Sequence, residues 1–359
     1  MVKTPPNNAC SRRAQLRQLS VIFKHWQSWR WHAADARPLG ARGNFIDSII
    51  MKTFIFRRRG WRYWCNLMLF ALGCIVVGLF IIQYVGIPIF LAYGYSHPQR
   101  LAVCCYTPAD LGWTYDDVSL TTRDALTLRG WYIPSRNGAA VVLLHPEASN
   151  RLGTIDGAKL LVKHSYGVLL LDLRAHGESE GQVLPFGGPE IEDVRAAINY
   201  LQTRPDVEAE RLGVMGWSLG AQIGLLGAAQ VKEVKAVVAD GPGATAREDW
   251  PPPHTLGEWF YVPFDFVFYH VQPLYTGVTE PLSIRSAVAQ IAPRPLLLIS
   301  SGLGYEEHRV RYFYNAAGEP KSLWVIPEAT HIDGLSKRPE EYEEKVVEFF
   351  DAALLGSNP

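Results

Sequence analysis

No cysteine follows Cys105 in this chain of 359 residues; the five present are Cys10, Cys65, Cys74, Cys104 and Cys105. A disulfide framework or a CxxC metal site is therefore excluded from everything beyond that point. Cys104 and Cys105 are adjacent, and because a bond between neighbours is strained, both read as small apolar residues. Neither sign of charge is in excess, with 35 Lys and Arg against 35 Asp and Glu. That balance leaves no global basic surface for a phosphate backbone, so no nucleic-acid partner is expected. The sequence has no P-loop, no Rossmann glycine pattern and no metal-ligating cluster, and no cofactor or metal is expected. Internal repeats and low-complexity runs are also absent. What remains is apolar: 48% of residues are hydrophobic and 12% aromatic, enough for a full-sized buried core.

The charge is unevenly spread. Residues 1–50 carry eight Lys and Arg against Asp35 and Asp47 and show no sustained period, which reads as a solvated tail. Met51 opens "MKTFIFRRRGWRYW", which has the form of a protein start, so an over-extended start or a leader is the other reading of that segment. From Trp64 to Ala92 no residue is charged, and the run exceeds the ~20 residues that cross a hydrocarbon core. A transmembrane helix within residues 51–95 is expected. A signal peptide would have a shorter apolar region, of ~7–15 residues, and a small-residue cleavage site. Lys52, Arg57, Arg58, Arg59 and Arg62 precede the run, whereas few positive charges follow it before Arg100. The positive-inside rule then keeps the N-terminus cytoplasmic and delivers the rest across a single-pass span. Trp61, Tyr63, Trp64, Tyr93 and Tyr95 fit interfacial anchors.

Residues 96–359 show apolar strands alternating with amphipathic helices: "AAVVLLHP", "YGVLLLDL", "RLGVMG", "VKAVVAD", "RPLLLISS" and "KSLWVIPE" are the strand candidates after an opening pair. Helices are expected near 155–164, over "IEDVRAAINYLQT", from Ser218, and over "EEYEEKVVEFFDAAL". Such alternation predicts an α/β domain with a mostly parallel sheet and helices on both faces. Gly216, Trp217, Ser218, Leu219 and Gly220 form G-x-S-x-G between a strand and a helix. In that setting the glycines permit a sharp turn, and the serine hydroxyl stands at a helix N-terminus ready to attack. A serine that only caps the helix is the competing reading.

With "VVLLHPEASNR", "LLLDLRAHGESEG", "GWSLG" and "IPEATHIDGL" in that order, the chain resembles the α/β-hydrolase family over residues 115–355, specifically its single-domain esterase- or peptidase-like members. The resemblance implies Ser218 as nucleophile, His331 as base, and an acid that precedes the histidine in the chain. The family's usual aspartate is absent after the "LLLIS" strand. Glu306 is the first candidate, Glu307 the second and Asp240 the third. Oxyanion donors are implied at the amides of Leu219 and Glu147; Pro146 stands where the family has a glycine and lacks an N–H. His145 and His176 match structural loop positions, and Asp172 with Arg174 reads as a loop-bracing pair.

Residues 243–290 form an insertion rich in aromatics, among them Trp250, Trp259, Phe264, Phe268 and Tyr269. A cap is expected there, walling an apolar acyl-binding site or resting on the membrane. The expected activity is that of a membrane-anchored serine hydrolase, a carboxylesterase foremost, cleaving an ester, thioester or amide of a small apolar acyl substrate. A catalytically silent hydrolase fold serving as a tethered binding module is the alternative, motivated by Pro146 and the missing aspartate.

Overall fold

A run without charge has no reason to leave the helix until its chain geometry is interrupted. The computed structural model describes residues 60–356; the basic tail and the possible start at Met51 lie outside the described residues. Two units are distinguished, one ending at Leu72 and one from Gly73 onward. The apolar run forms a continuous helix, Trp61–Ser96, long and apolar enough to cross a membrane. It consists of α1 (Trp61–Ile81), a π turn over Ile82–Gly86, and α2 (Ile87–Ser96). Pro88 stands at the start of α2 and has no N–H for the preceding turn, a setting in which a π turn is a common adjustment. None of α1 is buried, whereas Pro88, Ala92 and Ser96 of α2 are.

The second unit holds an eight-stranded sheet. In chain order its elements are β1 (Asp116–Thr121), β2 (Thr127–Ile133), β3 (Ala140–Leu144), α3 (Ile155–Lys163), β4 (Gly167–Leu171), α4 (Ile191–Gln202), β5 (Leu212–Trp217) and α5 (Leu219–Gln230). There follow β6 (Ala236–Asp240), α6 (Leu256–Thr276), α7 (Ile284–Val288), β7 (Leu296–Ser301), α8 (Gly304–Ala316), β8 (Lys321–Ile326), α9 (Gly334–Lys337) and α10 (Pro339–Phe350). The strand order is β1-β2-β4-β3-β5-β6-β7-β8. β2 pairs antiparallel with both β1 and β4, and every later pairing is parallel. This is the α/β-hydrolase fold, in the mostly parallel, doubly covered form expected.

Strand alternation divides the core. Val142 and Leu144 of β3 join Val214 and the helices α4 and α5 on one face, whereas Val141 and Leu143 join Met215, Trp217 and α10 on the other. Both faces of β3 and β4 are therefore buried, and each such Val or Leu contributes about 1.5–3 kcal/mol by leaving water. The 243–290 insertion contains one long helix, α6, with Thr255 capping it and Gly277 ending it in a left-handed conformation. The boundary expected at 95/96 does not mark a break in structure. Ser96 is buried, its Oγ donates to Ala92 O at 2.6 Å, and its carbonyl accepts from Leu184 N at 2.8 Å.

Candidate active site

The turn from β5 into α5 is built from residues without room for side chains. A Cβ on Gly216 would stand 2.2 Å from the Gly220 carbonyl oxygen, and one on Gly220 would stand 2.1 Å from that of Leu144. Only glycine lets helix and strand approach so closely. Between them Ser218 has φ 51° and ψ −111°, a strained conformation for a side-chain-bearing residue, and its N–H donates to the Asp240 carbonyl at 2.8 Å. The hydroxyl is thereby lifted above the C-terminal edge of the parallel strands. Ser218 does not cap α5 through its side chain, so the competing capping reading fails.

Ser218 Oγ lies 2.8 Å from His331 Nε2, and His331 Nδ1 lies 2.5 Å from Glu306 Oε2. The tautomer with hydrogen on Nδ1 donates to the carboxylate and leaves Nε2 free to accept the serine proton. Glu306 is fully buried, and its other oxygen accepts from the Ser301 N–H at 2.9 Å. Burial pushes its carboxyl upward, but hydrogen bonds from His331 and Ser301 outweigh that and hold it below the ordinary glutamate value. Glu307 is not brought to the histidine. It points away along α8 to Arg311, with Oε1 2.7 Å from the guanidinium. Asp240 is not brought there either: it is buried and accepts from Tyr342 OH at 2.8 Å, and burial pushes its carboxyl up to about 7.

Leu219 and Glu147 both line the cavity at Ser218. Burial pushes the Glu147 carboxyl up to about 7. The cavity has a volume of about 380 Å³, within the range of small-molecule sites. Trp250, Phe264, Phe268 and Tyr269 of the insertion line it, and Leu91 and Tyr95 of α2 complete it. Sequence reasoning missed Arg309, three residues past Glu306 on α8. It is buried, stacks over Trp250 at 5.0 Å, donates from Nε to Pro242 O at 3.2 Å, and lines the same cavity. Helical spacing from the candidate acid was the signal that pointed to it. Leu91 and Tyr95 had no such signal. A larger surface hollow of about 570 Å³ beside Asp156, Lys159 and Asp333 does not contain Ser218 or His331.

The two scaffold histidines do what was expected. His145 bonds Pro146 O through Nδ1 at 2.7 Å and accepts from Leu173 N at 3.1 Å, and burial pushes its imidazole down to about 4. His176 bonds Arg174 O through Nδ1 at 2.9 Å and is lowered by burial. The expected pairing of Asp172 with Arg174 is corrected. Asp172 is held by Arg151, with Nε at 3.1 Å and Nη2 at 2.8 Å, whereas Arg174 is held by Asp193 and Asp124. The two residues leave the end of β4 in different directions, and each meets an oppositely charged group from another segment, Asp193 from α4 among them. Among the described residues no cluster of His, Cys, Asp and Glu is arranged to hold a metal ion.

The strained serine on the strand-to-helix turn, the histidine after the last strand and the sheet order together define an α/β hydrolase, and comparison with known proteins agrees. The family model of the X-Pro dipeptidyl-peptidases (S15 family) matches residues 113–257. Uncharacterized protein YfhR of Escherichia coli (strain K12) is 28% identical over 260 residues, covering 68% of this chain and 84% of that protein. Thiohydrolase aneE of Aspergillus aculeatus is 34% identical over 145 residues, 39% of this chain and 46% of that protein. The crystallised esterase Pf2001 of Pyrococcus furiosus is 29% identical with a TM-score of 0.60, covering 73% of this chain and 99% of that one. The chain has the α/β-hydrolase fold and is similar to members of that family. Family and fold are those of esterase- and peptidase-type hydrolases.

Proposed function

We propose that this chain is a membrane-anchored serine hydrolase that cleaves a carboxylic ester through an acyl-enzyme. The observation that carries the reading is the unbroken hydrogen-bonded line from Ser218 Oγ through His331 to the buried Glu306. In the first step Ser218 Oγ attacks the acyl carbon while His331 Nε2 takes its proton. Glu306 orients the imidazole and offsets its positive charge. The developing oxyanion is met by the amides of Leu219 and Glu147. His331 then protonates the leaving alcohol, and water repeats the sequence to release the acid and restore Ser218. The esterase Pf2001 and the thiohydrolase aneE support an acyl substrate. The apolar helix Trp61–Ser96 supports anchoring, and the arginines before it support a cytoplasmic N-terminus with the hydrolase domain on the other side.

Labelling by a fluorophosphonate tests the assignment, because the reagent phosphonylates only an activated serine. The full-length protein should label at Ser218, and heat-denatured protein should not. Absence of label on the folded protein would favour the silent binding module.

The raised Glu147 carboxyl has a consequence for pH dependence. Below about 7 it is neutral and harmless beside an oxyanion. Above that value it ionises and opposes the charge developing in the transition state. A like charge about 4 Å away costs about 1 kcal/mol even at the dielectric of water and more in a partly buried site, so the rate should fall by roughly fivefold or more. The Glu147→Gln variant should therefore match the wild type at pH 6 and exceed it at pH 8.5. Parallel kcat profiles for the two proteins would remove Glu147 from the oxyanion site.

A further inference from the structure

Two of the residues lining the cavity at Ser218, Leu91 and Tyr95, belong to α2, the continuation of the apolar helix. They stand one turn apart and share a face. Phe264 and Phe268 of α6 line the same cavity. Edge-to-face contacts join the two helices, Tyr93 with Tyr275 at 5.4 Å and Tyr95 with Phe268 at 6.1 Å between ring centres. The apolar helix has 36 residues, whereas about 20 cross the hydrocarbon. Its last ten residues therefore fall beyond the length a span requires, at the level of the membrane surface.

The outer side of α6 is open and, apart from the exposed His270, apolar. Leu256, Trp259, Phe260, Phe266 and Leu274 are 58–82% exposed. At 100° per residue they share one stripe about 120° wide, and the cavity-lining Phe264, Phe268 and Gln272 occupy another side. An exposed apolar face of this size marks an interaction surface. Its occupant is indicated by continuity: α6 is packed on the helix that would leave the bilayer.

We infer that α6 lies in the bilayer surface and that the substrate is a membrane lipid bearing an acyl ester, whose chain enters between α2 and α6 rather than from water. This rests on the serine-hydrolase reading above. The acyl group passes from the lipid oxygen to Ser218 Oγ and then to water, the lipid alcohol leaving with the proton held by His331.

The test uses the full-length chain reconstituted in vesicles of a diether phosphatidylcholine, which has no ester to cleave, doped with dioleoylglycerol. Oleate release is compared with turnover of p-nitrophenyl acetate in the same vesicles. At constant bulk dioleoylglycerol, release should fall in proportion to its mole fraction in the bilayer. The double variant Trp259→Glu, Phe260→Glu should lose about tenfold or more of oleate release, since charge opposes interfacial docking, while acetate turnover stays within about twofold. Acetate turnover without oleate release, or a double variant releasing oleate at the wild-type rate, overturns the inference and leaves the hydrolase standing. Silence on both substrates removes the hydrolase reading beneath it. Should the double variant lose acetate turnover as well, the wild-type dilution series decides, and release that ignores mole fraction overturns the inference.

Discussion

Replacing Ser218 by alanine is expected to reduce ester hydrolysis by a factor on the order of 10⁶, to the level of the uncatalysed reaction plus whatever the remaining donors supply. The side chain removed is one hydroxyl. That hydroxyl pairs with His331 Nε2, and the Ser218 N–H bond to Asp240 O survives the change. The strained φ of 51° also remains, so alanine carries the same backbone strain as serine. Thermal unfolding should therefore shift little while p-nitrophenyl ester turnover vanishes. A variant that kept wild-type turnover would place the nucleophile elsewhere and end the acyl-enzyme assignment.

The second large effect is expected at Glu306. An imidazole without an orienting carboxylate loses both its tautomer and the stabilisation of its charged form, which costs about 10⁴ in turnover in serine proteases of the Ser-His-Asp type. Glu306→Gln keeps the shape of the side chain, and its amide oxygen still accepts the Ser301 N–H. The amide can turn an NH₂ group toward His331 Nδ1, favouring the tautomer in which Nε2 carries the proton and cannot act as base. kcat should fall steeply with KM little changed, because the lost interaction matters mainly in the transition state. Glu307→Gln, which breaks only a half-exposed pair with Arg311, should stay within about threefold, as surface pairs contribute ~1 kcal/mol or less. Equal losses in both variants would indicate disturbance of α8 rather than loss of the acid.

The choice between these glutamates shows where sequence reading stops. Adjacent residues on a helix point about 100° apart, so one of the pair had to face His331 and the other solvent. Which one depends on the rotation of α8, and that is set by the burial of Val310 and Phe313 against the sheet, a tertiary matter. The strands were legible for the opposite reason. Runs such as "AVVLL" and "GVLLL" are buried on both faces, and only a covered parallel sheet accommodates them. The elbow was legible because glycine at 216 and 220 has a steric cause that is local to the turn. Asp172 and Arg174 were misread as partners because proximity in a loop says little about direction. Their actual partners, Arg151 and Asp193, arrive from segments about twenty residues away on either side.

The junction at Ser96 bears on how such a protein is modified in evolution or in the laboratory. A domain hung from a flexible leash accepts any replacement tether, such as a lipid tail or a different span. Here the final turns before Ser96 are already part of the domain: Ala92 and Ser96 are buried, and Leu184 N–H depends on the Ser96 carbonyl. The interchangeable portion of the apolar helix therefore ends upstream of Ile87, and a form that begins after residue 95 would lose a wall of its own cavity.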